Sequence, residues 1–413
     1  MKLNPAIPFQ TDQPVSLSKA NKMTSRERFL KVLNGEMPDR VPVTLFIQDQ
    51  GHFLEQMCPD ADPLDYLALQ LKVVEIQKQL GVDVFVRMLF GINDPLGVHC
   101  GGLNVSRETE NWKIKQEKIQ KGTTKITRST ITTPDGVLTQ DFSVNQLRPG
   151  TFMYGCTKHP IKTGEDLQIA VKYEPAFMTP QKAQMIKNRV KTIKDAVGDD
   201  GIVGSWTPHG PFNNCSLLID QEMLYSLFLV DHDFYEKLMT FAMNRILDYT
   251  RAIDDAGVDV HCVGGNVPGG FLGKRCYNEY ILPYEKKYIE FVQSGGTPAM
   301  YHNCGQIMNL VESYKTLGAR VIEPFSPAPL GDADLARAKE IVNGDYVMVG
   351  GVDQVNVLQN GTVDQVRRVT EKTIKTGKPG GGFILQSADF LEYGTPIENI
   401  EAYIETAMQF ADY

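Results

Sequence analysis

Pro298-Ala299-Met300-Tyr301-His302-Asn303-Cys304-Gly305 is a short apolar run that closes on a histidine, a cysteine and a turn glycine, and an amphipathic stretch, 307–317, follows at once. That order reads as a β-strand handing over to a helix. On an extended backbone, residues two apart share a side, so His302 and Cys304 can aim at one point. An imidazole and a thiolate converging there suit Zn2+. The pair alone is equally compatible with a hydrogen-bonded histidine beside an inert thiol. Glu323 sharpens the metal reading: it closes Arg320-Val321-Ile322 before Pro324, and a carboxylate ending such an apolar strand requires a partner. His302, Cys304 and Glu323 are therefore the candidate catalytic residues and metal ligands. Cys262, at the end of 258–263, is a conceivable further thiolate, although a small buried hydrophobe is the simpler role. Three protein ligands with one open position would let zinc act as a Lewis acid on a substrate oxygen or sulfur. Hydrolysis by a zinc-bound water is the competing use.

The elements that must position these residues follow from periodicity. Short apolar strands are predicted at 44–47, 82–89, 201–206, 258–263, 299–302, 319–323, 346–349 and 382–386. Helices are predicted at 24–35, 62–80, 179–197, 216–229, 233–256, 276–294, 307–317, 332–342, 363–376 and 395–410. Strands alternating with helices imply a parallel sheet. With about eight strands and no dinucleotide glycine fingerprint after the first, the expectation is an α/β fold of the closed (β/α)8 TIM-barrel type. A single domain over 24–413, opening on the first helix, would follow an N-terminal extension, 1–23. Alternating Lys/Gln/Thr and Ile/Val around a Pro134-Asp135-Gly136 turn predict an antiparallel β-hairpin insertion over about 103–145.

In a barrel, binding groups stand just past strand ends. That places Gln48, Asp49, His52, Arg87, His209, Asn213, Asn266, Ser387 and Asp389 as candidate substrate-binding residues. Individually, Asp49, Asn213 and Asn266 could only cap loops, and His209 could only bond its own turn before Pro211.

Composition narrows the class. The chain has 413 residues, 42% hydrophobic and 22% charged, with a net charge of −8 and no long basic run, which argues against nucleic acid as a partner. Its 7 cysteines have no paired spacing, and an odd count in so long a chain argues against a disulfide framework. A reducing cytoplasm fits that usage. Neither a signal core nor a stretch of transmembrane length is found, so no membrane is expected.

Several motifs together resemble a known family. Thr24-Ser25-Arg26-Glu27-Arg28 through Pro38-Asp39-Arg40-Val41-Pro42, Gly210-Pro211-Phe212, Tyr301-His302-Asn303-Cys304-Gly305, Gly350-Gly351-Val352-Asp353 and Thr395-Pro396-Ile397-Glu398-Asn399 resemble the uroporphyrinogen decarboxylase superfamily from about Met23 onward. Within it, the chain resembles the branch of cobalamin-dependent methyltransferases, TIM barrels that use zinc to move a methyl group between a small molecule and a corrinoid protein. Gln48-Asp49-Gln50-Gly51-His52 stands where the decarboxylases carry an arginine-bearing signature, and a tetrapyrrole with several carboxylates needs such basic contacts. Gln386-Ser387-Ala388-Asp389-Phe390 stands where the methyltransferases often carry a second cysteine. The resemblance thus implies a zinc enzyme that takes a methyl group from a small methylated substrate, such as an aryl methyl ether, to Co(I) of a separate corrinoid protein that brings the cobalamin. It could act as a homodimer. Two alternatives stay open: a methylcorrinoid:thiol methyltransferase running in the opposite direction, and a barrel of the same superfamily that binds a small molecule without methyl transfer.

Overall fold

The computed structural model describes residues 22–90, 94–97, 102–148, 151–267 and 269–413. Most of the 1–23 extension lies outside them. Eleven strands occur among the described residues: β1 (Val84–Met88), β2 (Lys113–Lys121), β3 (Thr124–Thr133), β4 (Gly136–Arg148), β5 (Thr151–Lys158), β6 (Gly201–Trp206), β7 (Val260–Gly264), β8 (Ala299–His302), β9 (Val321–Glu323), β10 (Val347–Val352) and β11 (Phe383–Ser387). The chain packs as two units, one formed by 1–87, 193–203 and 324–413, the other by 88–192 and 204–323.

In the first unit, β10 and β11 pair in parallel from Met348 opposite Phe383 to Val352 opposite Ser387. The strand expected at 44–47 is present only as a single bridge, Val43 to Leu385. The reason is local. Pro42 has no N–H to give a ladder, and the Phe46 N–H goes to Ser387 Oγ at 3.2 Å instead of to a strand carbonyl. The strand-and-helix series among the described residues therefore has seven strands and a bridged segment in place of an eighth. Below this segment lies a buried ion cluster. Asp83 receives Arg40 Nη1 and Arg28 Nη1, each at 2.6 Å, while Arg28 Nε also reaches Asp39 Oδ1 at 2.8 Å. The Val43 N–H donates to Asp83 Oδ2 at 2.7 Å, so the cluster fixes where the bridged segment enters. Thr24 and Glu27 form a capping box that starts helix Ser25–Leu33 and thereby sets Arg28 in place.

In the second unit, β6, β7, β8 and β9 pair in parallel in that order, with Gly264 opposite His302 and His302 opposite Glu323. The predicted hairpin is larger than expected: β2, β3, β4 and β5 form a four-stranded antiparallel sheet over 113–158. The added strand, 151–158, carries Phe152, Tyr154 and Cys156 at period two.

Several predicted helices are shorter or divided. The 216–229 pattern becomes Pro211–Leu218 and Gln221–Val230, because Asp220 accepts from the Glu222 and Met223 N–H groups and starts a new helix. The 233–256 pattern becomes His232–Asn244 and Leu247–Asp255. Of 307–317 only Ser313–Leu317 is α-helical. Ile307, Leu310, Val311 and Leu317 are buried at helical spacing all the same, since three-residue turns such as Leu310 N–H to Ile307 O at 2.7 Å present the same side chains inward. Among the described residues no helix is long and apolar enough to cross a membrane.

Candidate metal centre

His302 ends β8, is 7% exposed, and turns Nδ1 to Glu323 Oε1 at 3.0 Å. Glu323 is fully buried at the paired position on β9, so the strand register itself brings the carboxylate to the ring. Glu323 thus engages the Nδ1 side of His302, and a metal would take Nε2. Cys304 follows two residues later on the loop and is exposed, with its Sγ within 4.8 Å of a His302 ring nitrogen. A nitrogen donor and a thiol at that spacing fit zinc.

The loop tips are tied by Asn303, which neither spacing nor composition singled out. Its N–H donates to Glu323 O at 2.7 Å, its Oδ1 accepts from the Val267 N–H at 2.7 Å, and its Nδ2 donates to Tyr314 OH at 2.7 Å. The loop after β7 is pinned at the same point, because the Gly265 N–H donates to His302 O at 2.8 Å. Asn266, one residue on, has φ +48, a left-handed backbone that a non-glycine residue holds only when its surroundings dictate it.

His209 stands beside this pair. A Cβ on Gly264 would fall 2.2 Å from His209 Nδ1, so the imidazole occupies the space that the missing side chain leaves at the end of β7. Burial, reinforced by the nearby His302 ring, pulls the His209 pKa down to about 4, and its Nδ1 has no hydrogen-bond partner among the described residues. The residue carries no charge at neutral pH. Asn213 accepts from Ser216 Oγ through its carbonyl at 2.7 Å and its Oδ1 at 3.3 Å, whereas Asn214 Nδ2 donates to His209 O and to Gly210 O. Trp206, at the end of β6, sets its ring 5.5 Å from that of His302 at 74°, and an aromatic strand end of this kind cannot be told from core in the sequence. Cys262 is fully buried, as a small hydrophobe would be.

The first unit holds the other candidates. Arg87 lies over the Phe46 ring at 4.2 Å and the Phe85 ring at 4.6 Å, and its Nη2 donates to Gln386 Oε1 at 2.5 Å. Asp49 is buried and accepts from Gln70 Nε2 at 2.8 Å. His52 has φ +49, sets its ring 4.2 Å from that of Phe390 at a tilt of 45°, and places Nδ1 3.7 Å from Glu392 Oε2. Ser387 is committed to the Phe46 N–H, as above. Asp389 Oδ1 accepts from the Phe390 N–H at 2.8 Å, which sets the start of the loop after β11. Gln48 is partly exposed.

The profile of the uroporphyrinogen decarboxylase (URO-D) family matches residues 156–410, more than half of the chain. The chain belongs to the uroporphyrinogen decarboxylase family, which bears out the resemblance read from its motifs. It is similar to the methylcobamide:CoM methyltransferase MtbA of Methanosarcina acetivorans, 22% identical over 259 residues, 61% of this chain and 70% of that protein. It is similar also to the uroporphyrinogen decarboxylase of Anaeromyxobacter dehalogenans, 23% identical over 261 residues, with the same coverage of 61% and 70%. A solved methyltransferase from Methanosarcina mazei shares its fold, with a TM-score of 0.67 and 18% identity over 94% of this chain and 99% of that one.

Proposed function

We propose that the chain is a corrinoid-dependent methyltransferase that takes a methyl group from a methylated small molecule, an aryl methyl ether being the preferred class, to Co(I) of a separate corrinoid protein. The observation that carries this reading is the buried His302–Glu323 pair with the exposed Cys304 thiol alongside. His302 Nε2 and Cys304 Sγ would hold zinc. When bound, the zinc supplies Lewis acidity at the ether oxygen. Glu323 fixes the ring and tautomer of His302 from behind, a role that oriented carboxylates commonly serve at such sites. Neutral His209 and the Trp206 ring give the donor an aromatic, uncharged wall. The bonding balances: the cobalt electron pair forms the new bond to the methyl carbon, and the carbon–oxygen pair leaves with the oxygen as an aryloxide.

The relatives named as methylcobamide:CoM methyltransferases support a second reading, transfer from a methylated corrinoid to a thiol. Cobalamin absorbance distinguishes the two. Purified zinc-loaded protein with methoxy-aromatic compounds and a Co(I) corrinoid should form methylcobalamin. Thiol-dependent loss of methylcobalamin in place of its formation would select the second reading, and demethylation that needs no corrinoid would remove both.

A further inference from the structure

Glu285, on helix Leu282–Val292, is fully buried and has no cation against it in the described residues. Its Oε1 accepts from the Phe212 N–H at 3.0 Å. Its Oε2 lies where a Cβ on Gly210 would fall, 2.0 Å away, and the Tyr301 hydroxyl is the carboxyl's other polar neighbour. The carboxyl is therefore clamped onto the Gly210-Pro211-Phe212 turn from one side. From the other, the Gly210 N–H donates to Gly264 O at 2.9 Å, and Tyr288 OH on the same helix donates to Pro208 O at 3.1 Å. His209 sits inside this clamp, with no side-chain hydrogen bond of its own to hold Nδ1.

We infer that Glu285 is a positioning residue: it sets the 208–212 turn against the end of β7, and so decides where the His209 ring stands beside His302. Burial raises the Glu285 carboxyl to about 8, so a neutral group fills the position near pH 7 and a carboxamide can stand in for it. Gly210 has an ordinary extended backbone, φ −55 and ψ 158, so it is glycine for want of room beside the carboxyl.

The inference rests on the methyl-transfer reading for its kinetic arm only, and a second readout is independent of it. Full-length protein labelled with 15N-histidine is compared as wild type, Glu285→Gln, Glu285→Ala, Gly210→Ala and the Glu285→Ala/Gly210→Ala double variant, with the His209 resonances assigned from a His209→Gln spectrum. Glu285→Gln should leave these resonances in place and keep kcat within about twofold. Glu285→Ala and Gly210→Ala should both move them and lower kcat by about 10- to 100-fold, as ångström-scale misplacement does. The double variant should be no worse than Glu285→Ala, since the smaller side chain makes room for the new methyl. Unmoved His209 resonances in Glu285→Ala would overturn the inference, as would a silent Gly210→Ala beside an inactive Glu285→Ala. Should Glu285→Ala fail to fold, moved resonances in Gly210→Ala with unmoved ones in Glu285→Gln support the inference, and any other pattern overturns it. Moved resonances in a protein whose wild type transfers no methyl group would keep the inference and remove the proposed function.

Discussion

His302 Nδ1 and Glu323 Oε1 stand 3.0 Å apart at paired positions of adjacent strands, and both residues are buried. A carboxylate so placed fixes which imidazole nitrogen faces outward. Glu323→Gln should therefore weaken zinc binding by about 10- to 100-fold, read by competition with a chromogenic chelator. An unchanged affinity would remove the orienting role.

Cys304 is exposed and so contributes little to the core. Cys304→Ala should lower methyl transfer by at least about 100-fold while changing unfolding free energy by no more than about 0.5 kcal/mol. Denaturant titration alongside the cobalamin assay checks both. A variant that loses stability and activity in parallel would make the cysteine structural.

Gly264 has room for nothing larger, because the His209 ring fills the position of its Cβ. Gly264→Ala should cost about 1–3 kcal/mol through overpacking. Urea unfolding measures the loss, and pairing with His209→Ala should recover most of it.

The Asp83 cluster makes stability fall in acid. Burial alone would raise the Asp83 carboxyl, but Arg40 and Arg28 overcome it and hold the pKa below the ordinary 3.8. A carboxyl depressed on folding stabilises fully above its unfolded value and loses that contribution as pH falls through 3.8 toward the folded value. Asp83→Asn, which leaves two buried guanidinium groups facing a neutral amide, should cost about 3–5 kcal/mol at pH 7 and flatten the acid limb. Equal pH slopes for both proteins between pH 5 and 3 would refute the assignment.

Free uroporphyrinogen should not be decarboxylated. Asp49 is an acid bonded to Gln70, and Arg87 is covered by Phe46 and Phe85, so the segment 48–52 offers a polycarboxylate no basic clamp. Turnover above a protein-free control, followed by chromatography of the porphyrins, would contradict this.

The strands were legible because short apolar runs between helical patterns leave few other readings, and His302 and Cys304 because two donors at period two stand out against such a run. Other features depend on neighbours distant in the chain. Glu285 sits between Tyr284 and Lys286-Lys287, where a carboxylate looks like a solvated helix surface. Its burial follows only once the 208–212 turn is packed on that helix. Glu323 was found as a strand-end carboxylate, but its partner depends on register, which no local pattern encodes. The bridge at Val43 replaced a strand because Ser387, more than three hundred residues away in sequence, takes the Phe46 N–H.

The antiparallel sheet β2–β5 also meets a hazard that parallel barrels avoid. Among the described residues its outer strand β2 has an unpaired side, an invitation to strand addition by another chain. Lys113, Lys115, Lys118 and Lys121 space positive charge along that strand, and most of its residues are exposed. Two β2 edges approaching one another would bring lysines face to face, so this edge carries its own guard against fibrillar self-association.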